Sequence, residues 1–389
     1  MVPLATSRLM LTWHCVCPAG DSTNEWLKLA HVPFISLILI AQWSAVASSF
    51  AFFMKFISTD LETALYAVFQ MAAFSPAVYS IFVTLLLRRD INDLLDQLSQ
   101  FYRDASDESF RFLAQANNRS EKIWKWFFMF IVSTNIGIIL MWIASLIICR
   151  ISHGYFDTKF LLHPFKVSLP WNQKTLIGYI FEFLSEFVFS CSYYYSNGTV
   201  VILFVSICLH HQAHFKIFQK SLTKLNGPGE NRNDATLLRA LIQFHGSAMN
   251  WFMASAQVHS GYILVQLLCS MLMMACVIFQ MDLALKHLDF GFCFMFIVVI
   301  ISASNLSLWC YFGTLATESF EKMALCLYES NWLDLPIHLQ KYYVIMIANA
   351  QRPLLYHGFG FITLNMNTFA RLLKTVITYY MMFKSITAE

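Results

Sequence analysis

The residues of this chain whose spacing most suggests chemistry are a group of histidines and a pair of glutamates. His210, His211 and His214 are close together, and two histidines four apart on a helix can reach one zinc ion. We favour packing or polar contacts for them, and we expect no metal or other cofactor. Glu182 and Glu186 are four residues apart and share a helix face. They could bind an amine, or they could lie in water where the helix projects beyond the lipid, which is the interpretation we favour.

A second group of polar side chains lies near the carboxyl terminus, inside an apolar segment. At a period of 3.6 residues, one face of this segment carries Arg371, Thr375, Thr378, Met382 and Ser385 or Ile386. Hydroxyl groups followed by bulky apolar side chains suit a helix that borders water and can be closed by dewetting. Alternatively, the stripe packs against another subunit. We expect the positive charges of Arg371 and Lys374 to be paired with carboxylates or set back in a wide vestibule.

Enzyme chemistry has no support in the sequence. The chain contains no glycine-rich nucleotide loop, nucleophile elbow or metalloprotease helix. The net charge is only +3 and basic residues are scattered, which argues against a nucleic acid partner. We therefore expect neither an enzyme nor a nucleic-acid-binding protein.

The elements that position these residues are long apolar segments. Of the 389 residues, 58% are hydrophobic and only 13% are charged, about half the charged fraction of a soluble domain. Spanning a bilayer takes about 20 apolar residues, and seven runs approach or exceed that length: Pro33–Ile57, Ala64–Leu87, Trp124–Cys149, Leu176–Leu209, Val258–Met281, Phe290–Tyr311 and Thr363–Ile386. The sequence predicts an all-α polytopic membrane protein with seven transmembrane helices.

The distribution of positive charge predicts the orientation of this bundle. The amino-terminal tail and the even-numbered connections carry more than twice as many Lys and Arg residues as the opposite side. The positive-inside rule then places the amino terminus in the cytoplasm and the carboxyl terminus outside. This orientation also leaves the glycosylation sequons at Asn118, Asn197 and Asn305 unmodified.

The final helix is expected to be split. Tyr342–Arg352 is apolar but about half the length needed to cross a bilayer. Pro353 then breaks it, and Gly358 and Gly360 loosen the chain before the next helix. The prediction is a short cytoplasmic helix followed by a membrane helix.

The order of motifs in the last sixty or so residues resembles the carboxyl-terminal signature of insect odorant receptors. The signature has four elements: Tyr328, Glu329 and Trp332 with Pro336; Gln351, Arg352 and Pro353; Leu364 and Phe369 at a helix start; and Lys374 and Thr375 followed by Tyr379 and Tyr380. The inverted seven-span topology agrees with this family over the whole length. The chain lacks the insertion between spans four and five that is typical of the co-receptor subunit, so it resembles an odour-tuning subunit.

The resemblance implies a function and partners. Members of the family form odorant-gated, non-selective cation channels as tetramers with the co-receptor. The expected setting is the cell membrane, as a multi-pass protein in the dendrite of an olfactory neuron. The expected partners are the co-receptor subunit, a small volatile organic ligand and the lipid bilayer, with no nucleic acid.

The resemblance also divides the chain. It implies a cytoplasmic tail at 1–32, a ligand-binding bundle at 33–209 and 258–311, cytoplasmic anchor helices at 210–257 and 312–352, and a pore helix at 363–386. The odorant pocket is implied in the outer half of the membrane, where the candidate contacts are Phe69, Ala73, Phe74, Ile138, Met141, Trp142, Ser145, Phe183, Phe187, Tyr194, Phe294, Phe296 and Val298. The implied pore residues are Thr375, Thr378, Met382, Ser385 and Ile386, with the hydrophobic gate at Met382.

Three other functions remain open at this point. A gustatory-type channel would act as a homotetramer, although the Gln-Phe that usually follows Thr-Tyr in that family is missing after Thr378 and Tyr379. A G-protein-coupled receptor would have the opposite orientation. A transporter would be expected to show an internal repeat, and none is visible.

Overall fold

The computed structural model describes residues 25–153, 175–225, 234–286 and 291–387. This part of the chain is almost entirely helical. The helices are α1 (Glu25–Phe56), α2 (Leu61–Leu86), α3 (Arg88–Arg103), α4 (Asp107–His153), α5 (Leu176–Leu225), α6 (Asp234–Lys286), α7 (Gly291–Glu329), α8 (Ile337–Ala350) and α9 (Met366–Ile386). A 3₁₀ turn (Trp332–Asp334) precedes α8, and a hairpin of strands β1 (His357–Gly358) and β2 (Ile362–Thr363) precedes α9.

Local sequence explains where several of these helices begin. Asp60 accepts a hydrogen bond from the Thr63 amide (3.1 Å), and Asn365 accepts one from the Thr368 amide (2.7 Å). Both are side-chain caps that satisfy amides left free at a helix start. Helix α3 is amphipathic, and it buries a set of apolar residues at helical spacing: Ile91, Leu94, Leu95, Leu98 and Tyr102.

Six of the described helices are long and apolar enough to cross a membrane: α1, α2 and α4 to α7. Several of them extend well beyond the predicted spans. Helix α4 begins at Asp107 instead of Trp124, and α7 continues to Glu329 instead of ending at Tyr311. Helix α9 is long enough at 21 residues, but it carries Arg371, Lys374 and Lys384 and is not among the six. The seven-span topology and its orientation therefore stay predictions.

A break separates α8 from α9. Helix α8 ends at Ala350, and α9 begins only at Met366. Thr363, which was predicted to start the last span, instead lies in β2 and pairs with His357. The turn between the strands has positive φ at Phe359 (47°) and Gly360 (79°).

The bundle has two ends that differ in packing. At the first, which we call the anchor end, α3, α8 and the adjoining parts of α5, α6 and α7 share one continuous core that also includes Leu372 and Val376 of α9. At the second, the cavity end, smaller apolar clusters lie between α1, α2, α4, α5, α6 and α7. The candidate ligand site lies at the cavity end.

Candidate ligand cavity and pore face

A cavity of about 230 Å³ lies between five helices at the cavity end. Helices α2, α4, α5 and α7 supply most of its wall, and α6 contributes Met273. The wall is mainly aromatic and aliphatic, with a few hydroxyl groups. The lining residues are Phe69, Ala73, Phe74, Ser133, Thr134, Gly137, Ile138, Met141, Ser190, Tyr193, Tyr194, Met273, Phe294, Ile297, Val298, Ile301 and Ser302.

Most of the residues predicted for ligand contact are brought together around this cavity. They are Phe69, Ala73, Phe74, Ile138, Met141, Tyr194, Phe294 and Val298. Their positions on four different helices show that the predicted set shares one space. Their contact with a ligand stays a prediction.

The other predicted contacts lie outside the cavity wall. The Trp142 ring stacks on Phe183 (4.2 Å between centroids), and the Ser145 hydroxyl donates to the Trp142 carbonyl (2.8 Å). Phe187 is half-buried on α5. The Phe296 side chain is 50% exposed, so it faces away from the bundle interior.

Sequence reasoning missed several wall residues. Most lie one helical turn from a predicted contact, such as Gly137 before Met141 and Ser190 before Tyr194, so strict helical periodicity could have found them. Met273 comes from α6, which was not expected to contribute, and no sequence signal distinguished it from neighbouring methionines.

The two glutamates of α5 lie in the interior. Glu182 is 4% exposed and Glu186 is 3% exposed. The interpretation that both lie in water is therefore wrong, because neighbouring helices cover the face of α5 that carries them. Neither glutamate lines the cavity.

The three histidines are fully buried at the anchor end. His210 Nε2 lies 3.1 Å from the Tyr102 hydroxyl, and His211 Nε2 lies 3.1 Å from the Tyr356 hydroxyl. His214 packs against the Phe101 ring (4.3 Å). These ring and hydroxyl contacts are of the kind expected for packing or polar roles.

Helix α9 presents two contrasting faces. Leu372 and Val376 are buried against α6 and α7. The opposite face is mostly exposed along the predicted pore stripe: Arg371, Thr375, Thr378, Met382, Ser385 and Ile386. An amphipathic helix with one covered face and one uncovered apolar and hydroxyl face is suited to meeting further subunits or water.

The hydroxyls on the exposed face already donate their protons. Thr375 donates to the Arg371 carbonyl (3.0 Å), Thr378 to the Lys374 carbonyl (3.2 Å) and Ser385 to the Met382 carbonyl (3.0 Å). Each hydroxyl oxygen therefore presents acceptor lone pairs outward. Such oxygens can accept from water and attract cations.

The cationic residues of α9 have different partners. The Arg371 guanidinium donates to the Thr368 hydroxyl (2.9 Å), and no carboxylate among the described residues pairs with Arg371 or Lys374. Lys384 forms an ion pair with Asp282 of α6 (3.1 Å). The expected carboxylate pairing of Arg371 and Lys374 is therefore not found within the described chain.

Comparison with solved structures places this fold next to two insect olfactory receptor structures. The olfactory receptor OR5 from Machilis hrabei in complex with eugenol superposes with a TM-score of 0.81 and 14% sequence identity, covering 98% of this chain and 97% of that one. The structure of OR5 described without that ligand gives a TM-score of 0.75 at 15% identity, covering 97% and 96%. At this identity the likeness concerns the fold.

Sequence comparison gives the family. Odorant receptor 65a of Drosophila melanogaster is 24% identical over 251 residues, which cover 61% of this chain and 59% of that receptor. The match thus spans less than two thirds of the relative's length. The family model described as 7tm Odorant receptor matches residues 59–377, most of the chain. The chain is therefore a multi-pass membrane protein that belongs to the 7tm odorant receptor family.

Proposed function

We propose that this protein is the odorant-binding subunit of a ligand-gated, non-selective cation channel. The cavity at the cavity end carries the proposal. It has about 230 Å³ of space enclosed by five helices, which is below the usual range for drug-sized ligands. A space of this size, lined by aromatic and methionine side chains, fits a small volatile molecule held by dispersion and burial.

The energetics favour modest affinity. Burying roughly 200 Å² of apolar ligand surface at about 25 cal/mol per Å² gives roughly 5 kcal/mol before the costs of association. The OR5 structure holds eugenol, and we propose that this cavity takes a small organic molecule in the same way. Affinity on this scale favours broad tuning.

The proposed pore is the exposed face of α9. Four such helices around an axis would bring hydroxyl oxygens and then Met382 and Ile386 together along a path through the membrane. The hydroxyl oxygens would hydrate ions, and the apolar side chains would close the path by dewetting. In this proposal the anchor end lies in the cytoplasm and the cavity end lies toward the outside.

The co-receptor partnership can be tested directly. The chain is expressed alone and with a co-receptor subunit in cells that have no receptors of their own, and whole-cell current is recorded during a panel of volatiles. The proposal expects ligand-evoked current only in the pair. Current from the chain alone would support a gustatory-type homotetramer, and no current in either case would contradict the odorant-gated channel.

The pore face can be tested with matched cysteines on one helix. Thr378→Cys lies on the exposed face of α9, whereas Val376→Cys lies on the buried face. A polar, cysteine-reactive reagent should block current in the first variant and spare the second. The wild-type protein gives the background effect of the reagent on the current, because it already contains the exposed cysteines Cys191 and Cys293. Equal insensitivity at Thr378, Met382 and Ser385 would remove α9 from the ion path.

A further inference from the structure

One wall of the cavity contains a serine that does not bond its own helix. Serines in the helices of this chain commonly donate to a carbonyl three or four residues earlier, as Ser192 does to Phe189 (2.8 Å) and Ser302 does to Val298 (2.6 Å). Ser190 of α5 is 7% exposed and lines the cavity. Its hydroxyl has no hydrogen-bond partner in the described part of the chain.

A second hydroxyl lies one turn further along the same face. Tyr194 also lines the cavity, and residues four apart on a helix are neighbours. The Tyr194 hydroxyl has no partner among the residues that the structure describes. By contrast, the adjacent Tyr193 hydroxyl accepts a hydrogen bond from Asn197 (3.3 Å).

Hydroxyls without a partner on a largely apolar wall are available to a ligand, because a polar group taken out of water costs free energy unless it is hydrogen-bonded. The facing part of the wall is mainly apolar, as at Phe69, Met273 and Phe294. Its other serine and threonine hydroxyls already donate within their own helices, at Ser133, Thr134 and Ser302. The cavity is therefore polarised: α5 contributes two available donors, and the facing helices contribute a mainly apolar surface.

We propose that the cavity selects volatile carbonyl compounds, meaning small ketones, aldehydes or esters, through Ser190 and Tyr194. A carbonyl oxygen has two lone pairs and no proton, so it can accept from both hydroxyls at once. A hydrocarbon of the same shape leaves both donors unsatisfied, and sites of this kind reject such analogues. The inference rests on the proposed function, because it assigns a ligand class to the same cavity.

The test uses ligand pairs that differ only at the oxygen. Acetophenone is compared with α-methylstyrene, and linear methyl ketones are compared with their 2-methyl-1-alkene counterparts, in cells that express the receptor with its co-receptor. Wild type should respond to the ketones at concentrations about 25-fold lower than to the alkenes, because each of the two hydrogen bonds contributes about fivefold. Ser190→Ala combined with Tyr194→Phe should remove this preference, since a hydrogen bond contributes about 1 kcal/mol, or roughly fivefold each.

Matched controls separate recognition from packing. Ser192→Ala removes a buried hydroxyl of the same helix that already donates to the Phe189 carbonyl and is not part of the cavity wall. Tyr342→Phe removes a tyrosine hydroxyl on α8, outside the cavity wall. Both should keep the ketone preference. The alkene response reports folding and surface delivery in every variant. If the double variant fails to reach the surface, Tyr194→Phe alone should still reduce the preference about fivefold.

The outcomes distinguish this inference from the proposed function. Equal potency of ketones and alkenes in wild type would overturn the carbonyl inference and leave the odorant receptor function standing. A ketone preference that survives in the double variant would overturn the roles of Ser190 and Tyr194. Silence toward every volatile, with the protein at the cell surface, would overturn both proposals.

Discussion

The anchor end and the cavity end of the bundle bury their apolar residues in different ways. At the anchor end, a single cluster extends from α3 through α5, α6 and α7 to α8 and the first half of α9. At the cavity end, the buried side chains fall into separate groups, such as Tyr66 with Phe69 and Phe294, and Phe74 with Phe189. Space for a ligand remains between these groups.

Hydrogen bonds between helices occur at both ends; near the cavity end, Gln42 of α1 donates to the Ser192 carbonyl of α5 (3.0 Å). At the anchor end, Trp251 Nε1 donates to the Leu94 carbonyl (2.9 Å), and the Tyr356 hydroxyl bonds both Ser255 (2.7 Å) and His211 (3.1 Å). These contacts join elements far apart in sequence. At the cavity end, the Ser190 and Tyr194 hydroxyls have no partner among the described residues, and in our proposal a ligand supplies one. A close-packed end therefore supports an end whose packing leaves room for the proposed ligand.

The largest effect should follow from truncating the centre of the anchor core. Trp251 is fully buried and its indole is hydrogen-bonded, so Trp251→Ala should lower the free energy of unfolding by about 4 kcal/mol. The measurements are surface expression and the midpoint of thermal unfolding in detergent. Trp142→Ala is the control at the cavity end, where the ring is only partly buried. Equal losses in the two variants would contradict the difference between the ends.

A smaller loss is expected when one hydroxyl is removed from the break between α8 and α9. Tyr356→Phe leaves the ring in place but takes a partner from His211 and Ser255. Unsatisfied buried groups cost about 1 to 3 kcal/mol, so the unfolding midpoint should fall clearly. Tyr342→Phe, at a position 58% exposed, should leave the midpoint unchanged. An unchanged midpoint for Tyr356→Phe would remove this contact from the anchor network.

At the cavity end, a substitution that adds side-chain volume should raise the stability of the protein instead of lowering it. A side chain at Gly137 would meet open space, with no atom within 4 Å of its Cβ, and this glycine lines the cavity. Gly137→Leu should raise helix stability by up to about 1 kcal/mol while reducing ligand potency at least tenfold, because the new side chain occupies ligand space. Concentration–response currents and unfolding midpoints measure the two effects.

Gly246 provides the matched control for this change. It also lies inside a helix, and a Cβ added there would have no atom within 4 Å, but it is not part of the cavity wall. Gly246→Leu should stabilise without altering potency. Loss of potency in both variants would show that the effect at Gly137 is not occupation of the cavity.

The sequence predicted the long helices for a physical reason, whereas much of the cavity was predicted by resemblance. In lipid, the backbone N–H and C=O groups of an apolar run of this length need hydrogen bonds within the protein, and a helix supplies them. The split before α9 follows from Pro353. Phe69, Met141 and Phe294 were placed together by resemblance to the family, and the structure brings them to one wall.

What the sequence did not predict depends on contacts between distant segments. The burial of Glu182 and Glu186 is a property of the neighbouring helices, not of their spacing on α5. The available hydroxyl of Ser190 is likewise invisible in sequence, because Ser192 and Ser196 look the same but bond their own helix. The start of α4 was also missed: it begins at Asp107 and not at Trp124, because polar residues precede the apolar run in the same helix.

The smallest effect on stability is expected within α9, which has one face in the anchor core and the other on the proposed pore. A substitution on the pore face should change the channel current instead. Leu372 is 8% exposed in the anchor core, whereas Met382 is 43% exposed on the pore face. Met382→Ala should leave the unfolding midpoint nearly unchanged but raise basal current without ligand, because a smaller side chain weakens dewetting at the constriction. Leu372→Ala should instead cost about 2 to 3 kcal/mol and reduce expression. If Met382→Ala leaves both leak and ligand response unchanged, Met382 is not the gate, and the exposed face of α9 serves subunit packing alone.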